Sequence, residues 1–244
     1  KNPYIKDFSN SKIVPQTAQF YVVLADEDCW KEYNIHGKDS TGFQVAGRCG
    51  AELIPALQLE TKECILIDAP DLPDWIDEMI AASGCKLCAV LLTHGHYDHI
   101  LAAEEVRKRH NVQVYVSEDE KELLHSPQMN LSQGYGRSTV LDADGTISGA
   151  HLSLAGLDIE VFHTPGHTAG GSCYYIAEAG ILFSGDTLFA ASVGRTDFPT
   201  GSMSAIVRSI KGKILVLPED TKVFPGHGES TSVAYEKKYN PFLQ

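Results

Sequence analysis

Ala89-Val90-Leu91-Leu92-Thr93-His94-Gly95-His96-Tyr97-Asp98-His99 is the stretch from which this chain is best read. Four unbroken apolar residues predict a buried strand. Directly after it, His94, His96, Asp98 and His99 place four candidate metal donors within six residues. Imidazole nitrogen and carboxylate oxygen suit divalent ions such as Zn²⁺ and Fe²⁺. Gly95 separates the first two histidines, so a loop can turn both rings towards one point. Asp98 and His99 then open a helix and can face a second point beside the first. A solvated polar turn has no need of donors at this density.

Further along, three apolar strand-like runs each end in a Gly-containing turn that carries a metal donor. They are Thr164-Pro165-Gly166-His167-Thr168, Phe183-Ser184-Gly185-Asp186-Thr187 and Phe224-Pro225-Gly226-His227-Gly228. Donors at strand ends converge on one edge of a sheet, where α/β folds place their sites. One such turn is weak evidence, whereas four in this order are strong.

The rest of the chain alternates strand and helix patterns. Phe20–Leu24, Cys64–Ile67, Val112–Val116 and Thr221–Phe224 read as strands, and 151–162 and 172–183 as strands or hairpins. Ile76, Met79 and Ile80 fall at helical spacing within 73–82, with Gly84 as terminator. A helix is expected over 98–110. Ser117 with Glu120 forms a capping-box pattern opening another. Met203, Ile206, Val207 and Ile210 mark one face of a late helix. No repeat or linker divides the chain, so residues 1–244 are expected to form one domain. Its unusual feature is an insertion at about 25–63, where a tight hairpin needs only about two to five residues. That insertion reads either as an added hairpin near the active site or as a surface excursion.

Composition narrows the functional class. Of 244 residues, 43% are apolar and 21% charged, ordinary for a globular protein with a sizeable core. No run approaches the roughly 20 apolar residues of a membrane span. Acids outnumber bases 32 to 20, for a formal charge of −12, which argues against nucleic acid, whose binding draws on Lys and Arg. Lys1 to Asp7 lacks a signal-peptide pattern, and a cytoplasmic location is expected, although a chain that starts on Lys is compatible with a trimmed leader. The six cysteines do not form a disulfide framework. Cys85 and Cys88 have CxxC spacing, but with no second pair and an apolar run following they read as two thiols at a strand entrance.

These motifs resemble the metallo-β-lactamase superfamily, from Ile65-Leu66-Ile67-Asp68 to the C-terminus. Within it, Gly194-Arg195-Thr196-Asp197-Phe198-Pro199 and Asn240-Pro241-Phe242-Leu243 resemble the single-domain glyoxalase II-like thioester hydrolases. The resemblance implies an α/β fold, a four-layer αββα sandwich with its site along one edge. It implies two divalent metal ions, with zinc first and iron or manganese also suited. His94, His96 and His167 would hold one and Asp98, His99 and His227 the other, with Asp186 bridging.

Two cations roughly 3.5–4 Å apart lower the pKa of a shared water towards neutrality. The expected reaction is therefore hydrolysis of a small-molecule thioester or related acyl bond by metal-bound hydroxide, with Asp98 orienting the nucleophile. A related alternative is a persulfide dioxygenase, which uses one iron held by residues matching His94, His167 and Asp186. Arg195 stands where two-domain relatives use a Lys for the glutathione carboxylate, so it reads as a grip for an acidic substrate or as a loop-stabilising residue. Those relatives also carry a C-terminal helical domain that this chain lacks, which makes glutathione itself doubtful. Tyr97 either leans over the metals or packs outwards, with packing favoured. Asp68 either supports a metal-binding imidazole or caps a turn. His163 reads as structural, and His36, His110, His125 and His151 as ordinary.

Overall fold

The computed structural model describes residues 20–24, 51–55, 62–147 and 149–244. Six strands make the first sheet: β1 (Phe20–Leu24), β2 (Ala51–Pro55), β3 (Glu63–Ile67), β4 (Lys86–Leu91), β5 (Gln113–Ser117) and β6 (Gly145–Ile147). Their order is β2-β1-β3-β4-β5-β6. From β3 to β6 the strands are parallel, joined by α1 (Pro73–Ser83), α2 (Tyr97–Ile100), α3 (Ala103–His110) and α4 (Lys121–His125). The second sheet begins with β7 (His151–Leu154), β8 (Leu157–His163), β9 (Ser172–Ile176) and β10 (Ile181–Gly185). A two-stranded ribbon, β11 (Leu188–Phe189) and β12 (Ser192–Val193), follows. The sheet is completed by β13 (Lys222–Pro225) and β14 (Thr231–Ser232), in the order β14-β13-β10-β9-β8-β7. Two more helices are α5 (Met203–Ser209), which continues as a π turn over Ile210–Ile214, and α6 (Val233–Tyr239).

The period of two along the strands creates three cores and hence four layers. In β3, Cys64 and Leu66 pack towards Ile76, Ile80 and Val106 of the helices, while Ile65 and Ile67 face the second sheet. There they meet Ile159, Tyr174, Ile176 and Phe183. On the far side of that sheet, Cys173, Tyr175, Leu182 and Val223 pack against Ile206, Ile210 and Val233. The result is helices, sheet, sheet, helices, the expected αββα sandwich. Each fully buried aliphatic or aromatic side chain contributes about 1.5–3 kcal/mol by leaving water.

Several expectations need correction. The strand register slips by one residue where Cys64 pairs with Leu87 and Ile65 with Ala89. Cys88 is thus a bulge residue, and Leu87 and Val90 end on the same face. The helix expected over 98–110 is broken between Ile100 and Ala103. Ala69 N–H donates to His99 O and Ala69 O accepts from Ala102 N–H, so an adjacent loop takes groups the helix ladder would use. Met203 leaves the buried face and is 45% exposed, whereas Ile206 and Ile210 are fully buried. Within the 25–63 insertion, Ala51–Pro55 forms β2, which pairs parallel to β1. Apart from β2 and the start of β3, its residues up to 61 lie outside those described. No helix among the described residues is long and apolar enough to cross a membrane.

Candidate metal centre

All seven predicted donors lie at one end of the sandwich, just beyond the C-terminal ends of strands. His94, His96, Asp98 and His99 follow β4, His167 follows β8, Asp186 follows β10, and His227 follows β13. Three overlapping groups form: His94, His96 and His167; His94, His99 and Asp186; Asp98, His99 and His227. Within each, the potential ligand atoms lie within 4.8 Å of one another. The rings of His94, His96 and His167 make a near-equilateral triangle, with centroids 4.7–4.8 Å apart. Asp186 faces both sides. Its Oδ1 is 3.4 Å from His99 Nε2, and its Oδ2 is 3.5 Å from His167 Nε2 and 3.6 Å from His227 Nε2. Asp98 Oδ2 lies 3.3 Å from His227 Nε2.

The imidazoles are oriented from behind. His99 Nδ1–H donates to Asp68 Oδ2 at 2.8 Å, which leaves Nε2 turned towards Asp186. Asp68 also accepts from Thr93 Oγ1 at 2.8 Å and from Thr93 N at 2.7 Å, and Thr93 Oγ1 lies 3.1 Å from His94 Nδ1. His167 Nδ1–H donates to the carbonyl of Arg195 at 2.7 Å. That support escaped the sequence reading, because any residue supplies a carbonyl. Gly226 is required by proximity: a Cβ there would fall 2.3 Å from Asp186 Oδ1 and 2.8 Å from His99 Cε1.

Electrostatics divide the cluster. Burial pushes His94 well below the ordinary imidazole value, and the nearby imidazoles of His99, His167 and His96 push the same way. Burial and His167 take His96 down to about 3. Burial would also lower His99 and His227, but carboxylates outweigh it. Asp68 and Asp186 hold His99 well above the usual value, and Asp186 and Asp98 raise His227. Conversely, burial would raise Asp186, yet His227 and His99 hold it well below the usual carboxylate range. In Asp98 too, His227 and His99 overcome burial and lower the value.

Among the described side chains, His94 Nε2, His96 Nε2, His99 Nε2 and Asp186 Oδ1 are buried without a hydrogen-bond partner. Buried polar atoms are nearly always paired. His94, His99 and Asp186 form one donor group, so their unpaired atoms fit a cation as the missing partner, while His96 turns Nδ1 to within 2.9 Å of His167 Nε2.

The remaining candidates fall around this cluster. Tyr97 is buried and stacks on Tyr135, with ring centroids 4.4 Å apart. The exposed guanidinium of Arg195 binds both oxygens of Asp197, at 2.7 and 2.6 Å, and lies 3.9 Å above the Phe198 ring. Phe198 in turn meets the edge of His96 at 5.6 Å between centroids. His163 bonds Ala169 O at 3.1 Å and is not among the donor groups. Glu120 departs from its predicted role. Ser117 makes no side-chain cap, and the Glu120 carboxylate instead bonds the amides of Gly95 and Gly170.

The stretch that carries all seven donors also matches a known family. The model of the metallo-beta-lactamase superfamily matches residues 57–227. The probable metallo-hydrolase YqgX of Bacillus subtilis is 38% identical over 185 residues, covering 74% of this chain and 87% of that protein. Hydroxyacylglutathione hydrolase GloC of Haemophilus influenzae is 32% identical over 188 residues, covering 75% and 89%. The crystal structure of TTHA1623 in a di-iron-bound form has a TM-score of 0.66 at 33% identity, covering 74% of this chain and 89% of that one. On the family match and these relatives, the chain belongs to the metallo-β-lactamase superfamily.

Proposed function

We propose that this protein is a two-metal hydrolase that cleaves a thioester or related acyl bond in a small molecule. The observation that carries this reading is the clustering of all seven donors in three overlapping groups, with Asp186 3.4–3.6 Å from His99, His167 and His227. His94, His96 and His167 would hold one cation and Asp98, His99 and His227 the other. Asp186 faces both groups and would bridge them. Bound there, two divalent cations would polarise an acyl carbonyl and make water a nucleophile near neutral pH. Zinc suits this nitrogen-rich set, and iron and manganese accept the same donors.

The chain's own residues divide the remaining work. Asp98, held ionised beside His227, is placed to accept a hydrogen bond from a water and to orient it. Asp68 keeps His99 in one tautomer and orientation. The thioester class is supported by similarity to GloC, and a two-metal site by similarity to a di-iron protein. Phe198 meets the His96 ring and the Arg195 guanidinium lies over Phe198, and with Tyr97 they are proposed to contact substrate. A mononuclear iron dioxygenase using His94, His167 and Asp186 would leave the grouping of Asp98, His99 and His227 without a purpose.

Metal analysis of the native protein, with lactoylglutathione hydrolysis and glutathione-persulfide oxygen uptake measured side by side, tests the reading. Two metals per chain with thioester turnover is the expected result. One iron per chain, oxygen uptake and no thioester turnover would overturn it.

A further inference from the structure

The carboxylate of Glu120 is fully buried, yet backbone amides engage it rather than any of the seven donors. Oε2 accepts from Gly95 N–H at 2.8 Å, and Oε1 accepts from Gly170 N–H at 2.7 Å. Gly95 separates His94 from His96, and Gly170 lies three residues beyond His167. One anion thus ties a loop 25 residues upstream to a loop 50 residues downstream. Both glycines also pack closely on this turn. A Cβ at Gly95 would come 2.8 Å from Leu123 Cδ2, and one at Gly170 would come 2.8 Å from Glu120 N. Near the same seam, Ser172 N–H bonds Thr93 O at 2.9 Å.

We propose that Glu120 is a positioning residue that sets the spacing between the His94–His96 loop and the His167 loop, and thereby the affinity for the cation those imidazoles hold. The inference rests on reading His94, His96 and His167 as one cation's ligands. A carboxylate suits the task because it presents two acceptor oxygens on one rigid plane. Glutamine of the same length keeps one acceptor and turns an N–H donor towards the other amide. Aspartate is one methylene too short to keep the same reach.

The test titrates metal-free wild type and Glu120→Gln with Co²⁺, reading stoichiometry and visible absorption, with thermal melting of each metal-free protein alongside. Wild type is expected to take two equivalents. The variant is expected to bind one of them about 10–100-fold more weakly, the size seen when groups supporting metal ligands are lost, with the other unaltered. A variant that melts lower but binds both equivalents like wild type would show a purely structural role and overturn the proposal. Wild type that fails to bind two equivalents defeats the two-metal reading itself. A measurement on wild type alone covers a variant that does not fold: the Gly95 and Gly170 amides of the metal-free protein should be strongly protected from hydrogen exchange. Rapid exchange at either would overturn the proposal.

Discussion

His99 donates its Nδ1–H to Asp68 across 2.8 Å, between two side chains that are both essentially sealed from solvent. The pair joins two successive β-strand ends, since Asp68 follows β3 and His99 lies in the short helix after β4. Asp68 is also held at both oxygens by Thr93. The nitrogen that His99 would offer a cation is thereby oriented by two buried polar residues that follow strands of the first sheet.

Replacing Asp68 with Ala should therefore damage metal binding and stability together. Loss of the partner to His99 should weaken cation binding by about 10–100-fold. Each buried group left unpaired should cost about 1–3 kcal/mol. Chelator competition and denaturant unfolding measure the two effects. Unchanged affinity would show that His99 needs no such support.

Metal uptake should depend on pH at one group and little at the other. His99 and His227, raised by their carboxylate neighbours, keep a proton to higher pH than a free imidazole. A cation must displace that proton, so binding there strengthens as pH rises through the raised values and weakens as it falls. His94 and His96 are pushed down and are neutral near pH 7, so they have no proton to release. Calorimetric titration in buffers of different ionisation heat should find one equivalent with proton release and one with little. Equal release from both would contradict the assignment.

Gly226→Ala should disable the centre while sparing most of the fold. The added methyl would press on Asp186 Oδ1 and His99 Cε1, within the donor cluster and outside the three hydrophobic cores. Metal content and turnover should fall by at least about tenfold, with melting of the metal-free protein changed by only a few degrees. The last figure corresponds to about 1 kcal/mol or less in a chain of this size. A fully loaded, active variant would refute the close-contact argument.

Phe183→Ala tests the inner core. Phe183 is fully buried between the sheets and stacks on Phe224 at 5.8 Å. Its truncation should cost about 3–5 kcal/mol, measured by urea unfolding. A smaller loss would mean that the sheets re-close over the cavity.

The donors were legible because each carries its own signal, a chemically suited side chain in a glycine turn after an apolar run. The four layers were expected from the resemblance, whereas the facing of Cys64 and Leu66 to one core and Ile65 and Ile67 to another shows only in the fold, because the run is apolar throughout. What was hidden depends on partners remote in sequence. The break after Ile100 is imposed by the backbone of Ala69, and the support of His167 by the carbonyl of Arg195. Glu120 carries a local capping pattern, but two distant amides compete for its carboxylate and win. The bulge at Cys88 is a matter of register, which no single strand encodes by itself.

The division of donors between the two sheets has a consequence for how activity is acquired. Four candidate donors belong to the first sheet's loops and three to the second's, and neither set contains a complete donor group. His96 meets His167 across 71 residues of chain, a long loop to close during folding. Turnover should therefore return only after the two halves have docked, later than secondary structure in a refolding time course. Catalytic competence would then act as a built-in report of finished assembly.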